Sequence, residues 1–430
     1  MSPTAVATRT FRSLRIRNYR LYFAGQVVSM TGTWMQWVAQ GWLVLRLTGS
    51  GLMVGLVTAL QFLPMLLGGA YGGVVADRVD KRKLLIGTQS TAGGLALILG
   101  LLVVTNTVQL WMVFALAFTL GLVNAIDNPA RQSFVSQMVG RDEVTNAVSL
   151  NSVLANGTRV VGPAVAGFLI AGVGIGLCFL INAASYVAVV IGLFMMRSDD
   201  LYENTRAERK PGQLREGLWY VRRRPELYLP LVLMVVVGAL AYNFSVLLPL
   251  LSHFTFHRGS VGYGAFFSVL SVGAVVSGLV IAARGRATQR MAALAALSFG
   301  VCTLVVAVMP TFEAELVAML AVGAASTVFV AVTNSVLQLG AAPAFRGRVM
   351  ALFAIAFLGT TPIGAPLVGW IGQHFGPRVA FAFGAIATIV AASVALVLLS
   401  RLRERQLRPA QQPGPSAVPP IAVGETAASA

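Results

Sequence analysis

The chain has 430 residues, of which 57% are hydrophobic and only 11% charged, with a mean hydropathy of +0.77. A soluble chain carries roughly a quarter charged residues, so the deficit excludes a water-soluble domain and makes lipid the main solvent. The formal net charge of +17 would point to nucleic acid in a soluble protein; here its distribution records membrane topology, and no nucleic-acid partner is expected.

Helices of about 20 apolar residues cross a bilayer, and twelve such spans are predicted, near 20–46, 51–76, 84–104, 109–133, 146–170, 174–196, 228–251, 260–283, 291–309, 314–339, 347–372 and 378–400. The expected fold is all-α integral membrane, twelve transmembrane helices in two six-helix halves. The expected organisation is an arm over 1–19, a half over 20–196, a central loop over 197–227, a second half over 228–400 and a disordered tail over 401–430. With the N-terminus inside, 28 of the 32 Lys and Arg residues lie on one side; Arg46, Arg258 and Arg378 lie on the other, and Arg159 lies within a span. Basic loops stay cytoplasmic, so both termini are expected there. The first apolar run is too long for a cleavable signal and is expected to remain. Cys178 and Cys302 sit in spans of different halves and imply neither a disulfide framework nor a metal site.

In the first span, Gln26, Ser29, Thr33, Gln36 and Gln40 are spaced by three and four residues, which puts them on one helical face. Amides in hydrocarbon need partners, so the stripe must face protein or water. Gln26 is assigned to hydrogen bonding between helices, Gln36 and Gln40 to the wall of a cavity. Trp34, Met35, Val38 and Leu45 fall on other faces, toward lipid or neighbouring helices. Gln61 in the second span is a further polar candidate.

After the second span comes GGVVADRVDKRKLL, residues 72–85. Gly73, Asp77, Arg78, Lys81 and Arg82 resemble the G-x-x-x-D-R-x-G-R-R/K signature of the major facilitator superfamily, with Asp80 where that pattern has a second glycine. FRSLRIRNYRLYFAGQ, LTGSGLMVGLV, PARQSFVSQMV and NAVSLNSVLANGTRVVGPAVAG look like the branch grouped with the enterobactin exporter and macrolide-efflux proteins. The resemblance implies a transporter, mostly of efflux type, whose charge cluster at residues 73–82 acts as a cytoplasmic gate. It also implies that the first span lines the cavity. It does not carry over a substrate.

In the fourth span, Asn124, Asp127 and Arg131 follow helical spacing across Pro129. Asp127 is the one acid of fifteen inside a predicted span, with Asp77 at a span end and Glu313 and Glu315 near the outer mouth. It reads either as half of a fixed pair with Arg131 or as a proton-coupling carboxylate, since coupling needs a titratable group within the membrane. Arg159, midway along the fifth span, should face a cavity, an acidic partner or an anionic substrate group. It is either a structural link toward Asp127 or a ligand-binding residue. Gly162-Pro163 followed by Gly167 resembles the G-P-x-x-G-G motif of drug–proton antiporters, with Ala166 replacing one glycine. It reads as a helix kink; the resemblance favours export, and a structural kink without bearing on transport direction is the alternative.

The polar stretch after Met196 holds either an amphipathic helix near Leu214–Val221 or a solvated linker. Asn243 and Asn334 are single amides in apolar spans and join the cavity candidates. His253 and His257, spaced i, i+4 without a nearby acid or Cys, read as interfacial rather than metal-binding. GTRVVGPAVAG from Gly157 matches GTTPIGAPLVG from Gly359 at Gly157, Thr158, Gly162 and Gly167, in the fifth span of each half. That is the signature of an internal repeat, and parallel repeats with a site between them describe a large class of secondary transporters.

With three lysines and no G-x-x-x-x-G-K-S/T stretch, ATP hydrolysis by this chain is excluded, and no nucleophile, base and orienting acid converge on an enzyme site. The sequence therefore reads as a monomeric transporter of a bacterial inner membrane, without cofactor or metal. It would export a small organic molecule (a drug, siderophore or secondary metabolite) against protons. Uptake by the same fold and a non-transporting receptor or scaffold are the alternatives.

Overall fold

The computed structural model describes residues 11–202, 213–282 and 287–407, without the side chains of a few residues, Gly73 and Asp77 among them. The helices crossing the bundle are α1 (Arg17–Thr48), α2 (Gly51–Arg78), α3 (Lys81–Val104), α4 (Leu110–Gly140), α5 (Asp142–Gly172) and α6 (Ile175–Phe194). The second half holds α7 (Pro225–Thr255), α8 (Gly259–Ala282), α9 (Gln289–Val308), α10 (Phe312–Gly340), α11 (Arg346–His374) and α12 (Pro377–Leu407). Eleven of them are long and apolar enough to span a membrane by length and composition. The exception is α1, 32 residues long, whose polar stripe dilutes its hydropathy. Every peptide group in hydrocarbon needs an internal partner, which an all-helical bundle supplies.

Local chemistry sets the helix ends. Ser50, Asp80, Thr288 and Thr311 each accept a hydrogen bond from a backbone N–H three residues on, the N-cap geometry that satisfies an orphan donor. Asp80, where the signature has a glycine, thus caps α3. Helices α4 and α5 run into each other with one interruption, Gly140 at φ 70° and ψ 173°. The backbone needs glycine there, and the Tyr202 ring packs on the bare Cα. The expected amphipathic helix forms over Gln213–Arg222. Its Tyr220 stacks on Phe345 at 4.2 Å and its Glu216 pairs with Arg348 at 2.8 Å, so it docks on the turn before α11. Residues 1–10, 203–212 and 408–430 of the expected arm, loop and tail lie outside the described residues. Helix α12 continues to Leu407, seven residues into the segment expected to be disordered, because RLRERQL consists of good helix formers.

The halves are pseudo-symmetric. Helix α2 packs on α4 as α8 packs on α10, and α3 on α6 as α9 on α12. Gly162 lies against α1 at Thr31 and Trp34, and its repeat mate Gly364 lies against α7 at Ala239. Gly167 meets Gly264 of the opposite half, and its mate Gly369 meets Gly51 of the opposite half. The repeat read from two short strings is therefore the fold's own symmetry. Through Pro163 the backbone stays helical, and the glycines of this motif form a packing face.

Two helix pairs join the halves, α2 with α11 and α5 with α8. Ser50 Oγ lies 2.6 Å from Gln373 Oε1, Ser260 Oγ donates to the Gly167 carbonyl at 3.3 Å, and Ser268 Oγ donates to the Val160 carbonyl at 3.0 Å. Along each helix these contacts run from the middle toward one end of the bundle, the end carrying the 49–50 and 375–376 turns.

Candidate functional site

Helix α1 places its polar stripe against its own half. Asn182 Nδ2 of α6 donates to Gln36 Oε1 at 2.6 Å, and Gln36 is 4% exposed. Gln40 Nε2 donates to Gln61 Oε1 of α2 at 3.2 Å. Thr33 Oγ1 lies 3.5 Å from Tyr186 Oη, and Arg131 Nη1 donates to Gln26 Oε1 at 3.3 Å. The stripe satisfies itself through interhelical hydrogen bonds, as expected for Gln26. Gln36 and Gln40 make the same kind of contact.

Asp127 is the hub of a second network. Its Oδ1 accepts from Thr88 Oγ1 at 2.7 Å and Gln89 Nε2 at 2.8 Å, and its Oδ2 lies 3.6 Å from Arg131 Nε. Arg131 Nη2 also donates to Asn128 Oδ1 at 2.8 Å. At 2% exposure, the carboxylate ties α3 to α4, and through Arg131 to α1. Asn124, one turn before Asn128 on α4, is partly exposed, as is Asn334 on α10.

Arg159 and Asp127 are not brought together. Arg159 instead reaches across the interface: its Nη2 donates to Tyr242 Oη of α7 at 3.4 Å, and its guanidinium stands 5.4 Å from the Trp34 ring centre. Its Nε is buried with no hydrogen-bond partner among the described residues. The α-helix of α7 is interrupted here. A π-turn over Val237–Ala241 ends at Tyr242 and Asn243, and helix resumes at Phe244. Asn243 Nδ2 donates to the Ala239 carbonyl at 2.7 Å, while its Oδ1 has no partner among the described residues. Two aromatic groups flank the site. Trp34 lies 5.3 Å from Trp37 and 5.9 Å from Phe267, and Trp37 lies 5.5 Å from Phe62. Opposite, Tyr242 lies 5.2 Å from Phe244, 5.0 Å from Phe357 and 6.3 Å from Phe299.

At the far end of α2, Gly73 and Asp77 occupy its last two turns, and Arg78 is exposed. Arg82 donates to the Leu193 and Phe194 carbonyls at 2.7 and 2.9 Å, capping the C-terminus of α6. Lys81 opens α3 and is partly exposed. His253 packs edge-on to Trp42, and no group of three metal-ligating side chains occurs among the described residues.

Sequence reasoning missed three features. Trp34 meets neighbouring helices rather than lipid, one of the two expected settings, but its place over Arg159 was not foreseen; the close approach at Gly162 turns that side of α1 toward α5. Tyr242 carried no signal beyond standing next to Asn243. Glu315, read as near the outer mouth, is wholly buried in the first turn of α10, and neither carboxylate oxygen has a hydrogen-bond partner among the described residues.

A family model described as transmembrane secretion effector matches residues 8–422. The chain is 25% identical over 264 residues to the staphyloferrin A transporter of Staphylococcus aureus, a match spanning 61% of this chain and 66% of that protein. It is 27% identical over 385 residues to the multidrug efflux pump Tap of Mycolicibacterium fortuitum, spanning 86% and 92%. Its fold is similar to a solved POT family transporter in complex with thioalcohol conjugated peptide, with TM-score 0.74 at 11% identity over 90% of this chain and 96% of that one.

Proposed function

The chain belongs to the transmembrane secretion effector family of the major facilitator superfamily, and from that premise we propose that it exports a small organic molecule by alternating access, driven by inward proton flow. One observation carries the reading: a two-half bundle is joined toward one end and holds Arg159, a guanidinium without a counter-ion among the described residues, at the seam between the halves. Such a seam near the midplane is where transporters of this architecture bind substrate.

The basic loops orient the chain with both termini in the cytoplasm of a bacterial inner membrane. The joined end then faces outward, and this conformation is inward-open. The gate cluster read from Gly73, Asp77, Arg78, Lys81 and Arg82 lies at the unjoined end. The cavity wall is drawn from Arg159, Asn243, Asn124, Asn334 and Gln61, with Gln36 and Gln40 behind them. Asp127 is the sequence's candidate for proton coupling, and the protein acts as a monomer without cofactor.

The test compares compound accumulation in cells with and without the protein, before and after a protonophore. Export gives lower accumulation with the protein, rising when the gradient collapses. Higher accumulation with the protein would establish uptake instead, and no difference across a broad compound panel would favour a non-transporting role.

A further inference from the structure

Arg159 has no counter-ion among the described residues. Asp127, the acid nearest to it in the sequence reading, is already satisfied by Thr88, Gln89 and Arg131. Glu315 sits in the opening turn of α10, where the electrostatic partner it meets is Arg378 of α12. What Arg159 does contact is neutral: the Tyr242 hydroxyl at the long limit of a hydrogen bond, and the Trp34 face. A guanidinium carries five N–H donors, and its buried Nε–H is unfilled.

Holding an unpaired charge within a membrane bundle is costly, and such charges mark ligand or ion sites. A structural role would be served by pairing Arg159 with a carboxylate, as Arg131 is paired on the preceding helix. The seam offers no such partner, yet it keeps the fork of donors at a point where α7 is interrupted. A guanidinium fork matches carboxylates and related oxyanions, two N–H bonds to two oxygens. Partly exposed aromatic rings lie on either side, Trp34, Trp37 and Phe62 on one and Tyr242 and Phe357 on the other. Flat apolar faces of this kind cover the body of an organic ligand and leave its polar group to be fixed by few contacts.

We propose that Arg159 is the anion-recognising residue of the seam, and that the transported class is amphipathic organic anions: a carboxylate or sulfonate on a planar apolar body. The inference rests on the transport reading above for its physiological meaning, but the binding site itself does not. The anionic group takes two N–H donors of the Arg159 fork, with Tyr242 Oη as a neighbouring donor, and the apolar body lies between the two aromatic walls. Cations of the same shape are disfavoured by the uncompensated guanidinium.

Two dyes sharing one ring system separate charge from shape: carboxyfluorescein, an anion, and an esterified cationic rhodamine. The purified full chain in lipid nanodiscs is titrated with each, reading dye anisotropy, and the ratio of the two affinities is the result. Wild type should favour the anion. Arg159→Gln should weaken carboxyfluorescein about tenfold or more, the scale of a lost charge-assisted contact, and so lower the ratio by that factor. Arg159→Lys should fall between, because an ammonium keeps the charge but loses the fork. If Arg159→Gln fails to fold, the lysine variant decides: an affinity for the anion equal to wild type overturns the bidentate site. Wild type preferring the cationic dye, binding neither dye, or keeping its ratio in Arg159→Gln also overturns the proposal. Dye movement into inside-out vesicles is measured in parallel. Binding without movement would contradict the export reading while leaving the anion site standing, and movement of the cation alone would do the reverse.

Discussion

Gly51 of α2 and Gly369 of α11 meet backbone against backbone across the two halves; a Cβ on Gly51 would stand 2.6 Å from the Gly369 carbonyl oxygen. Small residues permit this approach between membrane helices, and neither backbone can yield as a side chain would. The contact is therefore a seal that forms fully or not at all.

Gly369→Val should force the joined end apart. Overpacking of a tight contact costs about 1–3 kcal/mol, enough to shift a two-state ratio by about five- to 150-fold. Thiol labelling of a cysteine placed at Leu52, beside the seal, should rise accordingly, and the same substitution at Gly347, an open position, should leave it unchanged.

Asp127→Asn should lower the amount of folded protein. Removing one member of a buried pair strands the other, at a cost of about 3–5 kcal/mol, and the Thr88 and Gln89 donors lose a charged acceptor. Asp127→Asn with Arg131→Gln should recover part of the loss, read as thermal stability in nanodiscs. A stable Asp127→Asn that no longer responds to a protonophore would identify the carboxylate as the proton carrier instead.

Gln36→Leu and Asn182→Leu should each destabilise the N-terminal half, with a coupling energy in the double mutant of about 0.6 to 1.7 kcal/mol, the range for hydrogen bonds between membrane helices. Changed substrate preference without any loss of stability would place Gln36 in the cavity wall.

Much of this arrangement is legible before any coordinates. Hydropathy places the helices to within a few residues, except at Gly140, where a single φ of 70° joins two of them at a corner. The spacing of Gln26, Ser29, Thr33, Gln36 and Gln40 correctly assigns one face of α1, but a face does not name what meets it. Its partner Asn182 is 146 residues away, and the choice between ligand and protein depends on that long-range pairing. Trp34 shows the converse: the pattern leaves lipid and neighbouring helices equally open for an apolar residue beside a polar stripe, and the packing of Gly162 sends this one to the seam. The repeat at Gly162 and Gly364 was readable because close helix contacts demand glycine wherever symmetry places them.

Docking of the surface helix should also be measurable. Tyr220 stacks on Phe345, and its hydroxyl accepts from the Ala342 N–H at 3.1 Å. Tyr220→Ala removes an aromatic pair worth about 0.5–1.5 kcal/mol beyond its buried area, and limited proteolysis within 197–227 should accelerate.

The central claim, that the α2–α11 contact is a gate that must open in every cycle, is tested most directly by locking it. Ser50→Cys with Gln373→Cys places two thiols where the native side chains lie 2.6 Å apart, and a short thiol-reactive crosslinker can join them. The account predicts that crosslinked protein no longer lowers compound accumulation and that reductive release restores it. Undiminished transport by fully crosslinked protein would contradict it.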